Sequence, residues 1–194
     1  MRIGVLGGTF DPIHIAHLLL AEQAAEQLVL DKVLLVPAGD PWRKAGREIT
    51  PAVLRLEMVR RAVADNPLFE VDDREIRREG ATYTIDALRE MRAEVDPDDD
   101  LFLLLGEDAL ADLPLWREPE AFPDYATVVV APREGAELPE TLPFDPVAIE
   151  RIDMPYMNVS ATDLRHRARL GRSLRYLVPE PVRLFIEERG LYQD

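Results

Sequence analysis

Six short apolar runs, separated by stretches with helical periodicity, constrain the fold of this chain more than any other feature. They fall at residues 3–6, 33–36, 69–71, 101–105, 127–130 and 147–152. Two of them, within LFLLLG and ATVVVA, are apolar at consecutive positions, so both strand faces must be buried, as in central parallel strands covered by helices on each side. Between the first two runs, residues 14–30 place Leu18, Ala21, Ala25 and Leu28 along one helical face, and Pro51 opens a second helix carrying Leu54, Met58 and Val59. The alternation predicts an α/β fold: a doubly wound, mostly parallel sheet with helices on both faces. At 194 residues the chain suits one domain, residues 1–194, with a helical C-terminal part from about residue 160. The proline-rich stretches 37–51, 114–123 and 132–146 read as loops. In such folds ligands bind beyond the carboxyl ends of the strands, where strand order reverses. The loops after Leu6, Val36, Leu105 and Ile152 are therefore the places to look for function.

The first of these loops reads GGTFDPIHIAH, residues 7–17. Gly7 and Gly8 lie where the chain is expected to leave a strand, a position where glycine permits a tight turn and close approach of a phosphate. The segment has neither the three spaced glycines of the dinucleotide fingerprint nor the Gly-Lys-Ser/Thr of a Walker loop, and paired glycines by themselves also mark ordinary turns. His14 and His17, two of the chain's three histidines, are three apart and so share one face of a helix at its first turn. Zinc would need a third ligand of recognisable spacing, so contact with an anion ranks above metal ligation. A second helix start follows the last apolar run in NVSATDLRHR, residues 158–167. Ser160 is placed to cap it with Asp163 three residues on, and Thr162 and Arg165 share a face. Free N–H groups with an arginine on the first turns form an anion site, although an ordinary capped surface helix has the same pattern.

Composition removes several function classes. A formal net charge of −14 opposes sequence-independent binding to nucleic acid or anionic membranes, but leaves room for a small polyanionic substrate if the cations gather in one cleft. The chain has no cysteine, which excludes disulfides, thiolate ligands and a cysteine nucleophile and agrees with a reducing compartment. No apolar stretch approaches the roughly 18 residues that span a bilayer, and the N-terminus has no signal-peptide pattern. The cytoplasm is the expected location.

Taken together, GGTFDPIHIAH closely resembles the signature of the HxGH nucleotidyltransferases, and VSATDLR resembles their second signature. VPAGDPWRK, TYTIDALREM, GEDALADLPLW and YLVPEPVRLFI follow in the order and spacing of the nicotinate mononucleotide adenylyltransferase family, covering nearly the whole chain. That resemblance implies transfer of AMP from ATP to nicotinate mononucleotide, giving deamido-NAD and pyrophosphate. Magnesium is expected to be carried by the nucleotide, with no dedicated metal site on the protein. It further implies that Gly7, Gly8, Thr9 and Phe10 meet the ATP phosphates through their backbone, and that His14, His17, Lys44 and Arg165 act on the triphosphate and leaving group. Ser160 and Thr162 would help hold the triphosphate, and Gly106 and Asp108 the adenosine ribose. On the pyridine side it implies a ring stacked on Trp116, with Arg117 beside it, and a carboxylate held at the Tyr83–Thr84 helix start. From the residues alone, Trp116 would serve equally as a packing anchor and Tyr83 as a core aromatic. A helix terminus offers N–H donors and positive potential, which favours the nicotinate carboxylate over an amide.

Two departures stand out. Ala16 occupies the position where the family usually has glycine between its histidines, and Pro41-Trp42-Arg43-Lys44 replaces the usual PPHK, exchanging a titratable histidine for Arg43. Phosphopantetheine adenylyltransferase, a nucleotide sensor without turnover and, more remotely, an aminoacyl-tRNA synthetase fragment are the alternative readings. The expected partners are ATP and nicotinate mononucleotide, with no nucleic acid or membrane, and a homo-oligomer is left open.

Overall fold

The computed structural model describes residues 1–41, 49–132 and 141–193. Strands β1 (Arg2–Gly8), β2 (Lys32–Pro37), β4 (Phe69–Val71), β6 (Asp100–Gly106), β7 (Thr127–Ala131) and β8 (Ile149–Arg151) form one sheet in the order β4-β2-β1-β6-β7-β8. Every neighbouring pair is parallel. Each expected apolar run contributes a strand to this sheet, and the doubly wound α/β reading holds.

The apolar runs divide cleanly by parity, because successive strand side chains point to opposite faces. Leu6, Val33, Leu35, Phe102, Leu104, Val129 and Ala131 join one core. There they meet α1 (Ile15–Gln27), α2 (Ala52–Val63) and α7 (Glu180–Arg189) through Leu20, Ala24, Met58, Val59 and Phe185. Ile3, Val5, Val36, Leu101, Leu103, Leu105, Val128 and Val130 join the other core, against Ile85, Leu88 and Met91 of α4 (Thr84–Glu94) and Leu110 of α5 (Glu107–Asp112). Full burial of each such side chain contributes about 1.5–3 kcal/mol, which is why continuous apolar runs settle in the centre. At Gly4 the helix-side core leaves no room for a side chain: an added Cβ would lie 2.8 Å from Leu30 Cδ1 and 3.2 Å from Leu104 Cδ1.

Several local expectations are corrected. Gly7 and Gly8 do not make the turn. Both are residues of β1, paired with Val36 and Pro37, and the left-handed backbone falls on Phe10 at φ 49°. The first helix is shorter than residues 14–30. His14 is its N-cap, with extended backbone (φ −144°, ψ 172°), and the helix ends before Val29, which turns at φ 51° so that Leu30 can enter the core. The proline-rich stretches are not all irregular. Asp40–Pro41 (β3) pairs in parallel with Ala81–Thr82 (β5), and Leu113–Leu115 and Pro119–Asp124 form 3₁₀ turns with proline near their starts, where a missing N–H costs nothing. In the last apolar run Pro146–Ala148 is a 3₁₀ turn and only Ile149–Arg151 is strand, leaving Val147 exposed. The remaining helices are the single turn α3 (Arg74–Arg77) and α6 (Ala161–Arg169). Among the described residues no helix is long and apolar enough to cross a membrane.

Candidate active site

Strand order reverses between β1 and β6: the chain runs outward from β1 to β2 and β4, then returns to β6 and proceeds to β7 and β8. A cleft of about 520 Å³ opens there, beyond the carboxyl ends of those strands, where this architecture is expected to bind ligands. All four searched loops contribute to its wall, through Gly7 and Thr9, Ala38, Gly106, and Met154 with Met157.

At the β1 end the two glycines provide space. An added Cβ on Gly7 would meet nothing within 4 Å, so a side chain there would stand in the cleft, whereas at Gly8 it would strike the Phe10 ring at 2.8 Å. The Phe10 ring is 2% exposed and packs edge-on against His17 at 5.0 Å. Phe10 itself does not line the cleft. His14 and His17 both line the cleft, with their rings stacked at 3.7 Å. The His14 backbone N–H donates to His17 Nδ1 at 3.2 Å, so with Nδ1 accepting, the ring hydrogen of a neutral His17 sits on Nε2 as a donor. The Ile15 N–H is already used, donating to the Leu177 carbonyl at 3.1 Å.

The second signature is placed differently from the first. Ser160 caps α6, its Oγ accepting the Asp163 N–H at 3.1 Å. Ser160, Thr162 and Arg165 are not among the residues lining the cleft. Arg165 and Thr162 connect to the first loop: Arg165 Nη1 donates to the Asp11 carbonyl at 2.7 Å and Nη2 to Thr162 Oγ1 at 3.3 Å. Lys44, with Trp42 and Arg43, lies outside the described residues.

The rest of the cleft wall carries the ribose and pyridine-side candidates. Gly106 caps α5, and an added Cβ there would lie 2.7 Å from Asp108 Oδ1, which keeps the Asp108 carboxylate close over the β6 terminus. Tyr83 is the N-cap of α4 and Thr84 its first residue, and both line the cleft. The Arg117 guanidinium sits 4.8 Å above the Tyr83 ring and is paired with Asp86 at 3.7 Å and Glu118 at 3.6 Å. Trp116 also lines the cleft, edge-on to Phe122 at 5.9 Å, and its buried indole Nε1 has no hydrogen-bond partner among the described residues. A buried donor left without a partner is costly, and here it belongs to an aromatic that faces ligand space.

Four residues important to this arrangement escaped the sequence reading. Arg55 is 1% exposed and donates to three carbonyls: Nε to Thr50 at 2.8 Å, Nη1 to Thr9 at 2.7 Å and Nη2 to Gly39 at 2.9 Å. Burial pulls its guanidinium below the ordinary range, opposed by the nearby Asp11 carboxylate. The signal was present, since positions 55, 58, 59 and 62 form one helical stripe whose other members are Met58, Val59 and Ala62. Asp11 and Tyr192 meet at 2.7 Å, a contact between chain ends that no local pattern announces. Glu75 lines the cleft beside Thr82, and burial pushes its carboxyl up, offset in part by its hydrogen bond with Thr82. An added Cβ on Gly39 would come 2.1 Å from the Glu75 carbonyl oxygen. Gly39→Ala should therefore force the backbone apart and destabilise the fold by about 1–3 kcal/mol, read as a lower thermal midpoint; an unchanged midpoint would contradict that close approach. Among the described residues there is no group of three or more His, Cys, Asp or Glu able to hold a metal ion.

A cleft of this size at the switch point, floored by glycine-rich strand and faced by the starts of α1 and α4, defines a nucleotide-binding site of the Rossmann-like class, and residues 5–167 match the family model described as Cytidylyltransferase-like. The chain is 45% identical over 193 residues to a nicotinate-nucleotide adenylyltransferase of Thermus thermophilus, covering 100% of both chains. It is 41% identical over 203 residues to one of Desulfitobacterium hafniense, covering 99% of this chain and 96% of that one. With such likeness over its full length, the chain belongs to the nicotinate-nucleotide adenylyltransferase family. A solved structure of Plasmodium falciparum nicotinic acid mononucleotide adenylyltransferase complexed with NaAD shares the fold, with a TM-score of 0.82, 18% identity and coverage of 98% of this chain and 97% of that one.

Proposed function

We propose that the protein transfers AMP from ATP to nicotinate mononucleotide, releasing pyrophosphate and forming nicotinate adenine dinucleotide. The observation that carries this is one cleft faced by two helix starts, α1 with its stacked histidines and α4 with Tyr83 and Thr84. Each helix start presents backbone N–H groups and positive potential, which suits a triphosphate at one end and a pyridine carboxylate at the other.

The chemistry asks little of the protein beyond geometry and charge. A phosphate oxygen of the mononucleotide forms a bond to the α-phosphorus of ATP while the bond to the bridging α–β oxygen breaks, and the electron pair leaves with pyrophosphate. No protein nucleophile takes part, so rate comes from holding the two phosphates in line and stabilising developing negative charge. We assign the backbone of Gly7, Gly8, Thr9 and Phe10, with His14 and His17, to the triphosphate. Arg165 and Lys44 are assigned to the charge on the leaving group, Ser160 and Thr162 to the same helix start, and Gly106 and Asp108 to the adenosine ribose. The N–H, imidazole and guanidinium donors at the phosphate end suit phosphate oxygens. Magnesium, carried by the triphosphate, would neutralise part of its charge. The cysteine-free composition is compatible with the cytoplasm as the working compartment.

Trp116 and the first turn of α4 hold the pyridine ring in this assignment. Trp116→Ala should raise the KM for the mononucleotide about tenfold, the worth of one aromatic stack, while the KM for ATP stays within about twofold. Equal rises for both substrates would count against stacking. The function itself is tested by pyrophosphate release with ATP and magnesium, comparing nicotinate mononucleotide, nicotinamide mononucleotide and phosphopantetheine. Preference for the nicotinate form is expected. Turnover of phosphopantetheine would assign a different acceptor, and tight ATP binding without release would point to a sensor.

A further inference from the structure

Tyr192 is separated from Asp11 by 181 positions, yet its hydroxyl donates to Asp11 Oδ1 at 2.7 Å. It follows α7 and the left-handed Gly190, and is itself left-handed at φ 64°. Its ring packs against the core shared by α1, α2 and α7, with the hydroxyl 3.9 Å from Met58 Sδ. A phenylalanine would fill that space equally well. What the hydroxyl adds is a hold on the Asp11 carboxylate, beside a hydrogen bond with the Thr50 side chain.

That carboxylate sits at the junction of the phosphate-facing loop. Asp11 is 3% exposed and also accepts the Thr50 N–H at 3.3 Å, while its backbone carbonyl accepts Arg165 Nη1 at 2.7 Å. Two residues earlier the Thr9 carbonyl is held by Arg55. The Thr9–Phe10 peptide is trans, so its carbonyl and the following N–H point in opposite directions. Fixing that carbonyl on the buried guanidinium fixes the orientation of the whole Thr9–Phe10 peptide plane. The loop is thus set from behind by Arg55 and by Asp11, and Asp11 is set by Tyr192.

We propose that Tyr192 is a positioning residue for adenylyl transfer: its hydroxyl fixes Asp11, and Asp11 fixes both the phosphate-facing backbone and the guanidinium of Arg165. The inference rests on the assignment of that loop and Arg165 to the triphosphate. Burial and the adjacent Asp11 carboxylate hold the phenol well above its ordinary range, so it remains a proton donor throughout the neutral pH region.

Tyr192→Phe tests this, because it keeps the ring and removes only the hydroxyl. ATP affinity by calorimetry and steady-state rates would be measured for the full-length protein and the variant, each alone and combined with Arg165→Lys. The expected result is a fall in kcat/KM for ATP of about tenfold, the rate equivalent of a hydrogen bond to a charged group. ATP binding should weaken with it, and the KM for nicotinate mononucleotide should move by less than about twofold. The loss should shrink in the Arg165→Lys background, as coupled residues require. Unchanged ATP parameters, equal losses for both substrates, or full additivity with Arg165→Lys would overturn the proposal. If the unaltered protein releases no pyrophosphate, the adenylyl-transfer assignment fails, and the two ATP affinities still decide the role of Tyr192, equal values overturning it.

Discussion

Replacing His17 with alanine should give a folded protein whose turnover is lower by about 10²–10³-fold, the range seen when one preorganised donor to a developing charge is removed. The expectation comes from the way the ring is held. Nδ1 is occupied by the His14 N–H at 3.2 Å, and the ring is pinned between His14 at 3.7 Å and Phe10 at 5.0 Å. In the proposed assignment Nε2 of the neutral ring is the donor to the triphosphate, held by a ring that needs no reorganisation at the moment of reaction. The structural loss is that of one helix-start contact, about 1 kcal/mol, so the thermal midpoint should fall only slightly. Turnover and circular dichroism on one preparation check both parts. A folded variant with near-normal turnover would remove His17 from the mechanism.

Arg55→Met should produce the largest loss of stability. The methionine fills much of the same volume, but it leaves the Thr9, Gly39 and Thr50 carbonyls without their donor and the buried Asp11 without its neighbouring cation. Breaking such an arrangement costs about 3–5 kcal/mol, which for a chain of this length lowers the midpoint by on the order of 10 °C. Arg55→Lys should recover only part of this, because an ammonium lacks the planar fork that reaches separate carbonyls. Thermal denaturation of the three proteins is the check, and a midpoint for Arg55→Met within about 2 °C of the unaltered protein would contradict the role described for the guanidinium.

The parts of the molecule that were legible in sequence are those governed by local periodicity. Continuous apolar runs had to become central strands, and the parity with which Ile3 and Val5 face one core while Phe102 and Leu104 face the other follows from the period of a strand. The cap at Ser160 follows from local chemistry as well, whereas the helix start at Tyr83, which has no side-chain cap, came only with the family resemblance. Less legible was the division of labour within GGTFDP. The expectation gave the turn to the glycines, whereas Phe10 takes the left-handed conformation because its ring is buried beneath Gly8 and over-determines the backbone. Hidden altogether were contacts between distant segments, such as Tyr192 with Asp11 or Arg55 with three loop carbonyls. Those depend on which surfaces the finished sheet brings together. The 3₁₀ turns at Leu113–Leu115 and Pro119–Asp124 belong to the same group, being shaped by burial of Leu113 and Phe122 rather than by their prolines alone.

The central claim is that the mononucleotide phosphate attacks the α-phosphorus of ATP directly within the β1/β6 cleft. It is tested most directly by running the reaction with a single diastereomer of adenosine 5′-O-(1-thiotriphosphate) and determining the configuration at the α-phosphorus of the dinucleotide formed. One direct in-line displacement predicts inversion of configuration. Retention, the outcome of two displacements through an adenylylated protein group, or no dinucleotide at all, would contradict it.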